Sequence, residues 1–132
     1  MGTRSITKVV EDGQEICRIY RQYDGYPEGH GLDLAKLCNV KLTNGISGDG
    51  AGTANGMGCL AAQIILGLKQ QVERPNHVGA IYLVAPTGDD EESYNYVVSG
   101  EVGGKPRIEC IGVFTGTSDE WLAKNWDEVT AD

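Results

Sequence analysis

The chain has few basic side chains, no apolar run of membrane length and no closely spaced pair of cysteines. Each absence narrows what it can do. Eleven Lys and Arg stand against nineteen Asp and Glu in 132 residues, a formal net charge of −8. Sequence-independent binding to nucleic acid needs several cations on phosphates, so duplex nucleic acid is not an expected partner. No stretch reaches the roughly 18 apolar residues of a membrane span, so no membrane partner is expected. The N-terminus carries no apolar run, so no signal peptide is expected either. Cys17, Cys38, Cys59 and Cys110 form no CxxC pair, and each lies in an apolar stretch. They read as buried thiols in a reducing compartment, which makes the cytoplasm the expected location. A zinc site from these four is not expected. No Lys follows the glycines as in a P-loop. The run Asp89, Asp90, Glu91, Glu92 lacks the spacing of an EF-hand loop and reads as a solvated charge run. No catalytic residue, metal or cofactor is expected.

What the chain has in abundance is glycine, 19 of 132 residues, roughly twice the usual share. Many of these glycines sit in two regions, Gly25 to Gly31 and Gly45 to Gly58. The acidic excess is also localised. Residues 1–30 sum to −1, residues 31–86 to +1 and residues 87–132 to −8. The length suits one domain spanning residues 1–132, large enough to bury a core without disulfides.

The pattern along the chain predicts an α+β fold. Ile6–Val10 and Glu15–Tyr23 are β-prone runs around Asp12-Gly13, a hairpin signal. In the second run Cys17, Ile19 and Arg21 share a face, which carries Arg21 toward the core and calls for a partner. Asp24 is the nearest candidate. Tyr26-Pro27-Glu28-Gly29 has a type I turn signature, and a short helix is expected over residues 32–38. Residues 43–56 form a Gly-rich loop. Met57, Leu60, Ala61, Ile64, Ile65 and Leu68 follow at helical spacing, with Asn55 or Thr53 as N-cap. Strands are expected over 80–85, 92–98 and 107–114, and a last helix from Thr117, where Glu120 completes a capping-box pattern. The predicted order is β-β-α-α-β-β-β-α: one mostly antiparallel sheet of about five strands with helices packed on one face.

Candidate binding residues cluster in the stretch "YRQYDGYPEGHG", Tyr20 to Gly31. Arg21 and Arg4 are cations able to grip a phosphate or carboxylate, whereas Arg18 reads equally as a solvated edge charge. Tyr23 and Tyr26, with Tyr20 and Tyr82 as further candidates, offer faces for a flat ring or simply pack in the core. His30, between two glycines, has little bulk to shield it and is a ligand donor or base candidate beside Asp24. Asn55, Gly56 and Met57 open the long helix, where backbone N–H groups favour an anion. The loop before them reads equally as a flexible connector.

The segments "GTRS", "IYRQYDGYPEGHG" and "NGMGCLAAQ" resemble a family of small phage, prophage and bacterial proteins. Its members typically begin Met-Gly-Thr-Arg-Ser and carry an aromatic-Asp-Gly-Tyr motif some twenty residues on. The resemblance covers about the first half of the chain and brings no catalytic residues with it. It implies a phage or mobile-element origin and hence the cytoplasm of a bacterial host. The expected function is non-enzymatic binding of a small anionic molecule, with a signalling nucleotide favoured. A phage-type sponge for a cyclic-nucleotide or ADP-ribose-type immune signal would fit, built as a homo-oligomer. The alternative is an acidic protein–protein interaction module that inhibits a host protein or mimics DNA charge. A third reading, a hydrolase or transferase, would use His30 and Asp24.

Overall fold

The computed structural model describes residues 2–46, 52–71, 75–86 and 92–126. Strand β1 (Ser5–Glu11) and strand β2 (Gln14–Arg21) form the expected hairpin. Asp12 and Gly13 turn the chain with φ of 52° and 78°, the left-handed pair that a two-residue hairpin loop requires. A wide helical turn (Pro27–Gly31) leads into helix α1 (Leu32–Leu37). Tyr26 accepts from Gly29 N–H, as in the expected turn, but also from His30 N–H. Leu32 N–H returns to the Pro27 carbonyl five residues back, so the turn widens into π-type helix rather than closing as type I.

Strands β3 (Lys41–Thr43) and β4 (Thr53–Asn55) pair in parallel and make a small second sheet. The Gly-rich stretch therefore contains a strand; residues 47–51 of it lie outside the described residues. Helix α2 (Gly56–Gln70) follows directly. A 3-10 segment (Pro75–Ala80) then precedes strand β5 (Ile81–Val84), and strand β6 (Tyr94–Ser99) comes next.

The expected strand over 107–114 is two strands. β7 (Arg107–Cys110) and β8 (Phe114–Thr117) are joined by a tight turn. Gly112 sits there at φ 79°, and Val113 N–H closes back on the Cys110 carbonyl at 2.9 Å. Helix α3 (Ser118–Ala123) ends the described fold. The Glu120 carboxylate accepts from the Thr117 N–H and hydroxyl at 3.0 and 3.2 Å, as the sequence pattern predicts. Those hydrogen bonds hold its carboxyl below the usual range.

The main sheet has six strands in the order β5-β2-β1-β6-β7-β8. It is antiparallel except for the β1–β6 pair. The fold is α+β with helices on the sheet. Register places Thr7, Val9, Ile19, Tyr96, Val98, Ile108 and Cys110 on one face, and all are buried. Leu34 and Ala35 of α1, Leu60, Ile64 and Leu68 of α2, and Trp121 of α3 pack against that face. Each fully buried Leu or Ile among them contributes about 1.5–3 kcal/mol. Trp121 lies at the centre, donating to the Ile108 carbonyl at 2.8 Å and stacked on Trp126 at 4.9 Å. No described helix is long and apolar enough to cross a membrane.

Candidate functional site

Arg21 is the last residue of β2 and pairs with Ser5, so its side chain points to the helix-covered face. At the sheet's end it meets the wide turn and α1. Its Nε donates to the Tyr23 carbonyl at 2.7 Å. Its Nη1 donates to Asp33 at 2.8 Å and to His30 Nδ1 at 3.1 Å. The partner of Arg21 is therefore Asp33, one turn into the next element, and not Asp24. Among the described residues Nη2 has no partner.

The chain around Arg21 is shaped by close approaches. Asp24 adopts φ 60° to turn away from the sheet. A Cβ at Gly25 would sit 2.8 Å from the Thr3 and Arg4 backbone, and one at Gly31 would sit 2.4 Å from the Trp121 ring. The glycines of this stretch let it dock against the sheet and α3, which puts Arg21, Asp33 and Lys36 on one wall.

That wall borders an open cleft of about 710 Å³. Arg21, Lys36, Asp24 and Asp33 supply its charge. Tyr23, Tyr26 and His77 supply rings, while Leu68 and Ile81 give an apolar floor. Tyr23 stacks on His77 at 4.3 Å. The Tyr26 hydroxyl lies 3.3 Å from the Asp24 carboxylate, whose charge, with burial, raises the Tyr26 pKa.

Four of the nine predicted binding residues, Arg21, Tyr23, Asp24 and Tyr26, thus converge. The other five do not. Arg4 precedes β1 one position out of phase with Ser5, so it lies on the opposite side of the sheet from Arg21; it is exposed and lines no part of the cleft. Asn55, Gly56 and Met57 open α2, while Leu68 and Gln71 at its other end line the cleft. Fifteen helical residues separate the two sites by roughly 22 Å. The helix start is also engaged internally: the Glu11 carboxylate accepts from Met57 N–H at 3.3 Å, and Asn55 Oδ1 accepts from Gly45 N–H at 2.7 Å. The chain's own carboxylate takes the place expected for a ligand.

His30 is fully buried rather than unshielded. It lies behind Arg21, with Nε2 2.6 Å from the Thr7 hydroxyl and its ring edge-on to Tyr96. Burial, reinforced by the Arg21 charge, pushes its pKa well below the usual histidine value. It contacts Asp24 through backbone only, donating N–H to the Asp24 carbonyl. The pair imagined for a hydrolase is therefore not assembled. Burial also raises the thiols of Cys17, Cys38 (to about 12) and Cys110 (to about 11), which leaves them protonated at neutral pH. Arg18, expected at a solvated edge, is buried and clamps Glu15 at 2.7 Å. Tyr20 and Tyr82 stack on each other at 4.8 Å on the face away from the cleft. Asp89, Asp90 and Glu91 lie outside the described residues.

Sequence reasoning missed Asp33, Lys36 and His77. Asp33 and Lys36 stand three apart on α1, a spacing that puts them on one helix face. No local signal marks His77, which reaches the cleft from the segment before β5. No protein-family model matches the chain, nor does any curated protein or solved structure.

Proposed function

We propose that the chain is a non-enzymatic binding protein for a small ligand that joins an anionic group to a flat ring. The observation that carries this reading is Arg21. Three neighbours fix the guanidinium, yet among the described residues its Nη2 has no partner on the wall of a ligand-sized cleft, with Lys36 nearby. A fixed guanidinium loses little entropy on gripping a phosphate or carboxylate. Tyr23, His77 and Tyr26 form the ring-stacking side.

Asp24 and Asp33 set a further requirement. Two carboxylates beside two cations disfavour a ligand that carries only negative charge. They favour one that also offers donors, such as sugar hydroxyls or a base amine. A nucleotide meets all of these conditions. In its narrower form the proposal is sequestration of a cyclic-nucleotide or ADP-ribose-type signal in the bacterial cytoplasm, a form that rests on the phage-type resemblance of the N-terminal motifs.

Calorimetry against cyclic di- and trinucleotides and ADP-ribose derivatives tests the proposal. The expected result is saturable binding to one member of the panel, weakened at least tenfold in Arg21→Gln and in Lys36→Ala. Silence across the panel removes the nucleotide reading.

A further inference from the structure

We propose that His30 is a positioning residue for the Arg21 cleft: as an acceptor behind the guanidinium, it sets the plane in which Arg21 meets a ligand anion. The inference rests on the cleft reading above and adds to it a residue that the ligand does not touch.

The His30 ring is anchored from inside the sheet. Thr7 lies on the central strand β1, paired with Ile19 of β2 and Tyr96 of β6. Its hydroxyl is 2.6 Å from His30 Nε2, and both residues are fully buried. Tyr96 flanks the ring edge-on at 4.8 Å, and its own hydroxyl donates to the Gly25 carbonyl at 2.6 Å. On the other side of the ring, Nδ1 meets Arg21 Nη1 at 3.1 Å. A guanidinium only donates, so Nδ1 accepts, and the ring proton sits on Nε2 and is donated to Thr7. A line of hydrogen bonds therefore runs from the middle of the sheet to the cleft wall, through Thr7, His30 and Arg21.

Asp33 does not fix the plane by itself. Its side chain is 22% exposed, where an ion pair is screened and its attraction is weakly directional. Ser5, the register partner of Arg21, is fully buried, but its hydroxyl has no hydrogen-bond partner among the described residues and so holds nothing. The directional acceptors are the Tyr23 carbonyl on Nε and His30 on Nη1. Held at both nitrogens, the guanidinium keeps Nη2 for the cleft. Neutrality matters as much as position. A second carboxylate in place of His30 would also hold Arg21, but it would cancel the charge that a ligand anion needs. Burial and the Arg21 charge keep the imidazole uncharged at neutral pH, so it orients the cation without competing for it.

Titration of isotope-labelled protein with adenosine 5′-monophosphate at pH 7.5, followed by amide shifts, tests the proposal with two substitutions of different reach. Asparagine places its amide oxygen as many bonds from Cα as Nδ1, so His30→Asn keeps an acceptor for Arg21 and loses Thr7. Glutamine reaches as far as Nε2, so His30→Gln keeps Thr7 and loses that acceptor. Both variants share the structural cost of a cut buried ring, read as lower resistance to urea. Only His30→Gln binds more weakly, by roughly tenfold, the loss for one misaligned hydrogen bond to a charged group. His30→Asn stays near the wild type. Thr7→Val, which keeps the shape of threonine, carries the same test without altering His30: it unties the ring from its other end and weakens binding, and Thr7→Ser restores it. Equal loss in the Asn and Gln variants, no loss in either, or unchanged binding in Thr7→Val overturns the proposal. If the wild type binds no adenosine monophosphate, it is the cleft reading that fails, and the ligand-free protein decides the role of His30. Separate Arg21 Nη resonances in the wild type and His30→Asn, averaged in His30→Gln, support it; the same pattern in all three overturns it.

Discussion

His30 makes the folded state sensitive to mild acid. Arg21 Nη1 can only donate, so His30 Nδ1 must accept; the ring proton is then on Nε2, facing the Thr7 hydroxyl. A second proton on Nδ1 would point at the guanidinium inside a fully buried site. Burial and the Arg21 charge both push the folded pKa well below its unfolded value near 6.5. Above about pH 6.5 neither state binds the proton and the full stability is present. As pH falls below 6.5 the unfolded state takes up a proton that the folded state refuses, so stability is lost. One proton sets a limiting slope of about 1.4 kcal/mol per pH unit, and the loss continues until the folded pKa is reached. Glu15, held low by its hydrogen bonds to Arg18, works in a different window, since its contribution is lost only as pH falls below the usual carboxylate range near 4.5. Urea unfolding at pH 7.5, 6.5 and 5.5 checks the slope. His30→Gln should be destabilised by about 1–3 kcal/mol at pH 7.5, through weakened buried hydrogen bonds, but nearly flat over this range. A flat wild-type profile, or a slope that persists in His30→Gln, refutes the reasoning.

Two further substitutions probe how the site is built. Gly31→Ala drives a Cβ to 2.4 Å from the buried Trp121 ring. It should cost about 1–3 kcal/mol by urea unfolding and shift Trp fluorescence, because overpacking must move the ring or the turn. Glu11→Gln replaces the carboxylate that meets Met57 N–H. It should cost about 0.3–1 kcal/mol at low ionic strength, with the difference shrinking in high salt.

Much of the fold was legible because local signals and tertiary packing agree. Asp12-Gly13 carries its hairpin turn, Thr117 and Glu120 mark the start of α3, and the apolar spacing from Met57 to Leu68 marks α2. The split between β7 and β8 was hidden because Ile111 and Val113 look like strand residues, while Gly112 between them supplies the turn. β4 was hidden because Thr53-Ala54-Asn55 is too short to show a period and lies among glycines. In the site, Arg21 was legible from strand parity, since the face shared with Cys17 and Ile19 leads inward. Its partner was not, because Asp33 reaches it only through the folded turn over Pro27–Gly31. His30 was misread for the same reason: flanking glycines remove bulk in sequence, but here they let the segment pack closely enough to bury the ring. Whether Asn55-Gly56-Met57 join Arg21 depends on the direction of α2, which sequence spacing does not carry.

The central claim is that the Arg21 cleft, and not the start of α2, receives the ligand. Amide chemical shifts of isotope-labelled protein, followed during titration with adenosine 5′-monophosphate at millimolar concentration, test it most directly. This probe joins a flat ring, two hydroxyls and one phosphate. The account predicts saturable shifts at Tyr23, Tyr26, Lys36 and His77, with Gly56 and Met57 unmoved, and their loss in Arg21→Gln. Shifts centred on Gly56 and Met57, or none at the cleft, would contradict it.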